Sequence, residues 1–446
     1  MKEGGARGKG APDPGAALGE WLAYLENLHP KGQAGIELGL ERVRQVKAAL
    51  GQNQHCPVIT VAGTNGKGST VAYLESILSF TGYRVGAYTS PHLWAYNERV
   101  RLNRQPVDDT QLVAAFARVE AARQAAGEVF LTYFEFGTLA AWEVFAATGV
   151  EVAVLEVGLG GRLDAVNAYD ADLALLTTVD LDHMDWLGPT RESIGREKAG
   201  IFRPGRLAVC ADADPPASVL DHAVSIGADL RLIGRDFGFI CDADHPQQWQ
   251  WWCRSGDQTV RRSLGYPGLR GHAQLYNASL VLAALDALQD SLPVTMQAIR
   301  RGLIETELPG RFQVLPGRPA IVLDVAHNPQ AVRTLVNNLG GMGFFDRTYA
   351  VVGMLADKDV AQSLAPLRGR VDGWYCATLD GPRGLAAEKL AEVVDAQELG
   401  GDIQCFASPA EALRAARGRA GESDRILTFG SFYTVAGVRD ALKNGR

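Results

Sequence analysis

Val61-Ala62-Gly63-Thr64-Asn65-Gly66-Lys67-Gly68-Ser69-Thr70 is the stretch on which the reading of this chain turns. It leaves an apolar run at residues 57–62 that reads as a buried strand, and it opens a helical pattern over 67–80. Glycines at such a corner let backbone N–H groups turn inward and approach phosphate oxygens, and the helix N-terminus adds a positive end. Lys67 stands where an ammonium reaches terminal phosphates. The general phosphate-loop pattern places Ser or Thr directly after the lysine, whereas Gly68 intervenes here. The competing reading is a plain strand–turn–helix corner. Gly, Asn and Lys concentrated at this topological place favour the phosphate loop.

Working outward, residues 84–88, 152–157 and 173–178 read as strands and 134–148 as a helix. That alternation predicts an α/β fold whose N-terminal, P-loop ATPase-type domain has a mostly parallel sheet covered by helices. Residues 237–267 break the rhythm. They are polar, carry Trp249, Trp251 and Trp252, and read as a β-hairpin insertion before a helix at 274–288. Glu305-Thr306-Glu307-Leu308-Pro309-Gly310-Arg311 reads as a linker. Strand-like runs at 320–325, 349–353, 371–377, 403–406 and 425–429 then predict a smaller, doubly wound, Rossmann-like C-terminal domain. The expected division is a disordered leader at 1–19, a first domain at 20–305, a linker at 306–311 and a second domain at 312–446.

Composition narrows the function. The 446 residues are 47% hydrophobic, enough for the cores of two or three domains, and the net charge is -7. That balance argues against a nucleic-acid binder, which normally carries a basic surface. Small anionic substrates need only a local positive site. The 6 cysteines form no CxxC pair, which suits unpaired thiols in a reducing compartment. No apolar run approaches the roughly 18 residues of a membrane span, and the leader lacks a signal-peptide core. A cytoplasmic protein is expected.

Metal chemistry has candidates. Glu156 ends an apolar strand in Leu155-Glu156-Val157-Gly158-Leu159-Gly160-Gly161-Arg162, where open α/β sheets place ligands. Asp180, Asp182, His183 and Asp185 form a second cluster after strand 173–178. One of them with Glu156 would hold a divalent cation such as Mg²⁺, which takes few protein ligands beside phosphate oxygens. On its chemistry alone His183 reads equally as a hydrogen-bonding residue, and Lys198 as an exposed helical lysine.

Taken together, the ordered motifs resemble the folate branch of the Mur ligase superfamily, and within it the bifunctional members. They are Gly63–Ser69, Thr89-Ser90-Pro91-His92-Leu93, Glu98-Arg99-Val100-Arg101, Glu156–Arg162, Leu181-Asp182-His183 with Leu187-Gly188, Glu197-Lys198-Ala199-Gly200, Leu308-Pro309-Gly310-Arg311, Asp324-Val325-Ala326-His327-Asn328-Pro329 and Gly430-Ser431-Phe432. The resemblance spans nearly the whole chain, from about Trp21 to Thr434. It implies an ATP- and Mg²⁺-dependent ligase that adds L-glutamate to dihydropteroate and to reduced folates through an acyl phosphate, acting as a monomer with small-molecule substrates only. By the same likeness Thr64, Asn65, Gly66 and Lys67 contact ATP phosphates, and Asn277, Arg311 and Asp324 the rest of the nucleotide. Ser90, Glu156 and His183 match magnesium positions, and Lys198 matches a lysine that carries a carbamate. His327 and Ser431 fall near the incoming glutamate. Lys67, Glu156, His183, Lys198 and His327 are the expected catalytic set. Glu37-Leu38-Gly39, Thr132-Tyr133-Phe134-Glu135 and Leu163-Asp164-Ala165 resemble a pterin pocket, with Phe134 stacking on the ring or packing in the core, and Asp164 accepting hydrogen bonds. Glu37 for a common aspartate, Val166 for threonine and Val325 for glycine are departures from the pattern. Four alternatives compete: polyglutamate extension alone, a Mur-type ligase acting on a cell-wall nucleotide, a P-loop ATPase or kinase, and a nicotinamide oxidoreductase. The last lacks a GxGxxG after the first strand of the second domain.

Overall fold

The computed structural model describes residues 10–30, 35–241, 248–256 and 258–443. Its first sheet has eight strands: β1 (Val58–Ala62), β2 (Val85–Tyr88), β3 (Val100–Leu102), β4 (Gln105–Pro106), β5 (Val152–Glu156), β6 (Leu173–Leu176), β7 (Leu207–Cys210) and β8 (Asp229–Leu232). The order is β4-β3-β2-β5-β1-β6-β7-β8. Pairing is parallel from β2 to β8, and β3 and β4 close one edge antiparallel. Every residue of β1, β2, β5 and β6 is buried, so these apolar runs are covered on both faces. Helix Lys67–Thr81 lies against one face and is itself packed by helices Ala273–Ala287 and Met296–Ile304.

The insertion carries one strand more than a hairpin. β9 (Phe237–Cys241), β10 (Gln248–Ser255) and β11 (Gln258–Gly265) form an antiparallel sheet in the order β11-β10-β9. Alternation along β10 turns Trp249, Trp251 and Cys253 inward, where Phe237 joins them in the core. A bare hairpin would leave those rings in water; β9 and helix Ala273–Ala287 cover them.

The second sheet contains β12 (Gln313–Leu315), β13 (Ala320–Leu323), β14 (Thr348–Val352), β15 (Gly373–Ala377), β16 (Asp402–Phe406) and β17 (Arg425–Phe429), in the order β12-β13-β17-β14-β15-β16. Only β12 runs antiparallel. This is the expected doubly wound α/β arrangement. Residues 1–9 of the expected leader lie outside the described residues. Contrary to a disordered leader at 1–19, helix Leu18–Leu28 begins at the end of the expected leader, because Leu18, Trp21 and Leu25 give it an apolar face that is buried. Among the described residues no helix is long and apolar enough to cross a membrane.

Both sheets aim the carboxyl ends of their parallel strands at one region. β1 delivers Gly63–Lys67, β2 Ser90, β5 Glu156, and β6 the run 177–183. From the other side β13 delivers Asp324, β14 the loop 353–359, and β17 Gly430 and Ser431.

Candidate nucleotide and metal corner

The turn after β1 is built by glycine. Gly63 has φ +149° and a Cβ there would lie 1.8 Å from Thr177 Oγ1. Gly66 has φ +91° and its Cβ would lie 2.5 Å from Asn277 Oδ1. Neither place admits a side chain. Thr64 is fixed by its N–H donating to Thr178 O (2.7 Å) and by its Oγ1 donating to Asp180 O (3.0 Å). Lys67 folds back, with Nζ donating to Gly63 O (2.9 Å) and Thr64 O (3.2 Å).

Lys198, which spacing alone would leave exposed on its helix, is not on the surface. Lys198 is 5% exposed and its Nζ donates to the same Gly63 O at 3.0 Å. Burial and then the neighbouring Lys67 charge push its ammonium down to about 7. Periodicity on the helix Arg191–Ala199 missed this because the helix turns that face toward the glycine corner.

Glu156 is buried, and its Oε2 accepts the Ser90 N–H at 3.1 Å. Burial raises its carboxyl, opposed chiefly by Lys67. Burial likewise lowers Lys67, opposed by Glu156 and Asp182. Burial thus disfavours both charged forms, and each charge favours the other's. His183 adopts a left-handed backbone, φ +52°, and its N–H donates to Asp182 Oδ1 at 2.9 Å. Burial, aided by Lys358 and Lys67, holds its imidazole down to about 4, so the ring is neutral at pH 7. A carboxylate, the Ser90 hydroxyl and a neutral imidazole suit a small divalent ion. Among the described residues no three His, Cys, Asp or Glu side chains converge on one point. A Mg²⁺ ion shared with phosphates needs only part of its coordination sphere from protein. Asp185 is exposed, and Asp180 Oδ2 instead accepts from Arg333 at 3.3 Å.

The second domain closes this corner. Asn65 Nδ2 donates to Asn328 Oδ1 (3.1 Å) and to Gln330 Oε1. Asn328 Nδ2 donates to Asp182 Oδ2 at 3.2 Å, and Lys358 Nζ to Asp182 Oδ1 at 2.7 Å. Burial pushes the Asp182 carboxyl up, but His327, Lys358 and His183 together hold it well below the carboxylate range. Burial lowers Arg311 and raises Asp324, each opposed by the other. Asp324 accepts the N–H groups of Phe312 (2.9 Å) and Ala326 (2.8 Å). Asn277 is buried at Gly66, and His327 Nδ1 lies 2.9 Å from Val325 O. Ser431 caps helix Phe432–Gly437, with its Oγ accepting the Tyr433 N–H at 3.1 Å. Lys358, Gln330 and Arg333 did not stand out in the sequence. The strand-end rule that singled out Glu156 also applies to Asp357-Lys358-Asp359 after β14.

The pterin-like segments also meet. Gly39 N–H donates to Leu163 O at 3.2 Å. Arg42 bridges Glu37 Oε1 (2.8 Å) and Glu135 Oε1 (2.9 Å). Thr132 and Glu135 cap the helix Tyr133–Thr148 reciprocally. Phe134 is half-buried; its ring lies 5.6 Å from that of Tyr88, and a Cβ on Gly158 would come within 2.7 Å of it. Asp164 accepts from Leu159 N (2.8 Å) and Val166 N (3.0 Å), and burial raises its carboxyl to about 7. Tyr133 further lines a cavity of about 370 Å³ with His92, Trp94 and Tyr96.

Two family models match: the Mur ligase middle domain over residues 61–228, and the Mur ligase glutamate ligase domain over 310–432. The chain is 46% identical over 435 residues, covering 97% of both, to the dihydrofolate synthase/folylpolyglutamate synthase of Escherichia coli (strain K12). The chain belongs to the dihydrofolate synthase/folylpolyglutamate synthase family of Mur ligases. The E. coli FolC structure in complex with DHPP and ADP superposes with a TM-score of 0.89 at 44% identity, over 97% of this chain and 99% of that one. A bifunctional folylpolyglutamate synthase/dihydrofolate synthase with Mn, AMPPNP and L-glutamate bound gives 0.87 at 45% identity, over 97% and 100%. The resemblance read in the motifs therefore holds: this member of the dihydrofolate synthase/folylpolyglutamate synthase family is an ATP-dependent carboxylate–amine ligase.

Proposed function

We propose that ligation of L-glutamate to dihydropteroate and to reduced folates runs at the glycine corner between Lys67 and Glu156. The observation that carries this is the turn that excludes side chains at Gly63 and Gly66, with Lys67 Nζ on the turn's carbonyls and the buried Glu156 carboxylate 3.9 Å from where a Gly68 Cβ would lie. Thr64, Asn65, Gly66 and Lys67 hold the ATP phosphates, and Asn277, Arg311 and Asp324 hold the rest of the nucleotide. Ser90, Glu156 and His183 hold Mg²⁺, which when bound neutralises charge on the phosphates. Lys198, neutral in part at pH 7, takes up CO₂ as a carbamate, turning a cation into an anion.

A carboxylate is a poor electrophile, so it is activated first. One carboxylate oxygen of the pteroate or folate attacks the γ-phosphorus of ATP; that O–P bond forms as the bond to ADP breaks. Lys67 leaves its carbonyl partners and follows the charge on the transferred phosphoryl group. The glutamate amine, oriented near His327 and Ser431, attacks the acyl carbon. The amine's proton passes to a phosphate oxygen, and the tetrahedral intermediate collapses to the amide as its C–O bond to phosphate breaks and phosphate leaves. Asn65–Asn328, Asn65–Gln330 and Asp182–Lys358 hold the second domain over the corner and keep water from the acyl phosphate. Phe134, backed by Gly158, offers a ring face to the pterin, and Asp164 its hydrogen-bond acceptor, with Glu37–Gly39, Thr132–Glu135 and Leu163–Ala165 as walls.

The chain works in the cytoplasm as a monomer with domains at 20–305 and 312–446 joined by 306–311. The test is ADP release with dihydropteroate, then with tetrahydrofolate, each with and without L-glutamate. Release that needs both the folate and glutamate is expected for both acceptors. Activity with tetrahydrofolate alone reduces the enzyme to polyglutamate extension, and glutamate-independent release overturns the ligase reading.

A further inference from the structure

In the mechanism above Lys358 serves only as a contact between the domains, yet its side chain is only 6% exposed and it reaches across from the second domain. Its Nζ lies 2.7 Å from Asp182 Oδ1 and 3.5 Å from His183 Nε2. It therefore occupies the space between a carboxylate and an imidazole nitrogen, where a cation bound by both would sit. The lysine is held firmly there. Its loop is anchored by Asp357, whose carboxylate accepts from Arg383 (2.7 Å), by Ala356 N–H donating to Arg383 O (2.9 Å), and by Asp359 capping the helix Val360–Leu364. The opposing groups are equally fixed. His183 N–H donates to Asp182 Oδ1, and Asn328 Nδ2 donates to Asp182 Oδ2.

A neutral imidazole has one acceptor nitrogen. With an ammonium facing it, Nε2 carries the lone pair, and that lone pair serves either a lysine N–H or a metal ion. Coulomb repulsion adds to the exclusion, because a unit charge a few ångströms from a dication is strongly unfavourable in a poorly hydrated site.

We propose that Lys358 is a resident cation of the Asp182–His183 pair and that a divalent ion must displace it to reach His183. This rests on the assignment of His183 as a metal ligand. Metal loading of the first domain is then coupled to the loop 353–359 of the second, since the ion cannot take His183 while that loop keeps its lysine in place. Lys358 acts here as a positioning residue.

The experiment is titration of nucleotide-free protein with Mn²⁺, reading free Mn²⁺ by electron paramagnetic resonance. It compares the natural chain with Lys358→Met, Lys358→Gln, Lys358→Arg and His183→Ala, each checked for folding by circular dichroism. The neutral variants should bind Mn²⁺ about tenfold or more tightly than the natural chain, and Lys358→Arg should stay near it. Unchanged or weaker binding in folded Lys358→Met and Lys358→Gln, or no binding in any of the proteins, overturns the proposal. His183→Ala separates the two layers. If it binds Mn²⁺ as the natural chain does, the metal assignment itself fails; if it loses binding while the neutral variants are unchanged, only the displacement idea fails.

Discussion

The glycine corner and the pterin-like wall differ in what their side chains do before substrate arrives. At the corner, the half-buried Lys67 and the buried Glu156 and Lys198 are titratable groups whose partners are backbone carbonyls and a backbone N–H. At the wall, the same residues that resemble a pocket also build the fold. Thr132 and Glu135 cap a helix, Asp164 accepts two backbone N–H groups, and Glu37 is bridged to Glu135 by Arg42. Chemistry on phosphate demands uncommon residue types in costly environments, whereas recognition of a flat heterocycle reuses ordinary structural residues.

The largest expected effect lies at the corner. Lys67→Ala should lower ligation by about two to three orders of magnitude, the range for removing one preorganised donor to transition-state charge, with circular dichroism unchanged. Near-normal turnover by the folded variant would erase the contrast between the two regions.

Gly66→Ala comes next. It forces a left-handed alanine, which costs roughly 1–2 kcal/mol, and drives its Cβ toward Asn277 Oδ1. Lower thermal stability and weaker nucleotide binding are expected. Adding Asn277→Ala should restore part of the stability, because the clashing atom is gone.

At the wall, Phe134→Ala should raise KM for dihydropteroate about three- to tenfold, since an aromatic pair is worth roughly 0.5–1.5 kcal/mol beyond its area, and leave KM for ATP unchanged. Equal effects on both would make Phe134 a packing residue only.

A further contrast is a pH dependence. Lys198 sits near 7 in the fold against an ordinary 10.5. Between those values the native state binds fewer protons than the unfolded one. The contribution to stability is therefore present above the ordinary value and is lost as pH falls through about 7. The neutral amine appears over the same rise, so a carbamate signal in ¹³C NMR with labelled CO₂ should grow through about pH 7 and be absent in Lys198→Gln.

These differences also explain what the sequence made legible. The parallel strands were readable because apolar runs such as 58–62 and 152–156 are covered on both faces, and the Gly63–Lys67 turn because only glycine fits there. Burial of Lys198 was not, since local spacing carries no record of which helix face meets another segment. The third strand of the insertion was missed because β9 pairs with β10 across residues that look like a polar loop. Lys358 escaped because its significance depends on Asp182, 176 positions away.

The central claim is that phosphates and a divalent ion meet between Lys67 and Glu156. A crystal structure with AMPPNP and Mn²⁺ tests it most directly. The expected result has terminal phosphates on the amides of Thr64–Lys67, Lys67 Nζ turned from Gly63 O onto a phosphate oxygen, and the ion beside Glu156. Nucleotide bound elsewhere, with Lys67 still on Gly63 O and no ion at Glu156, would contradict the account.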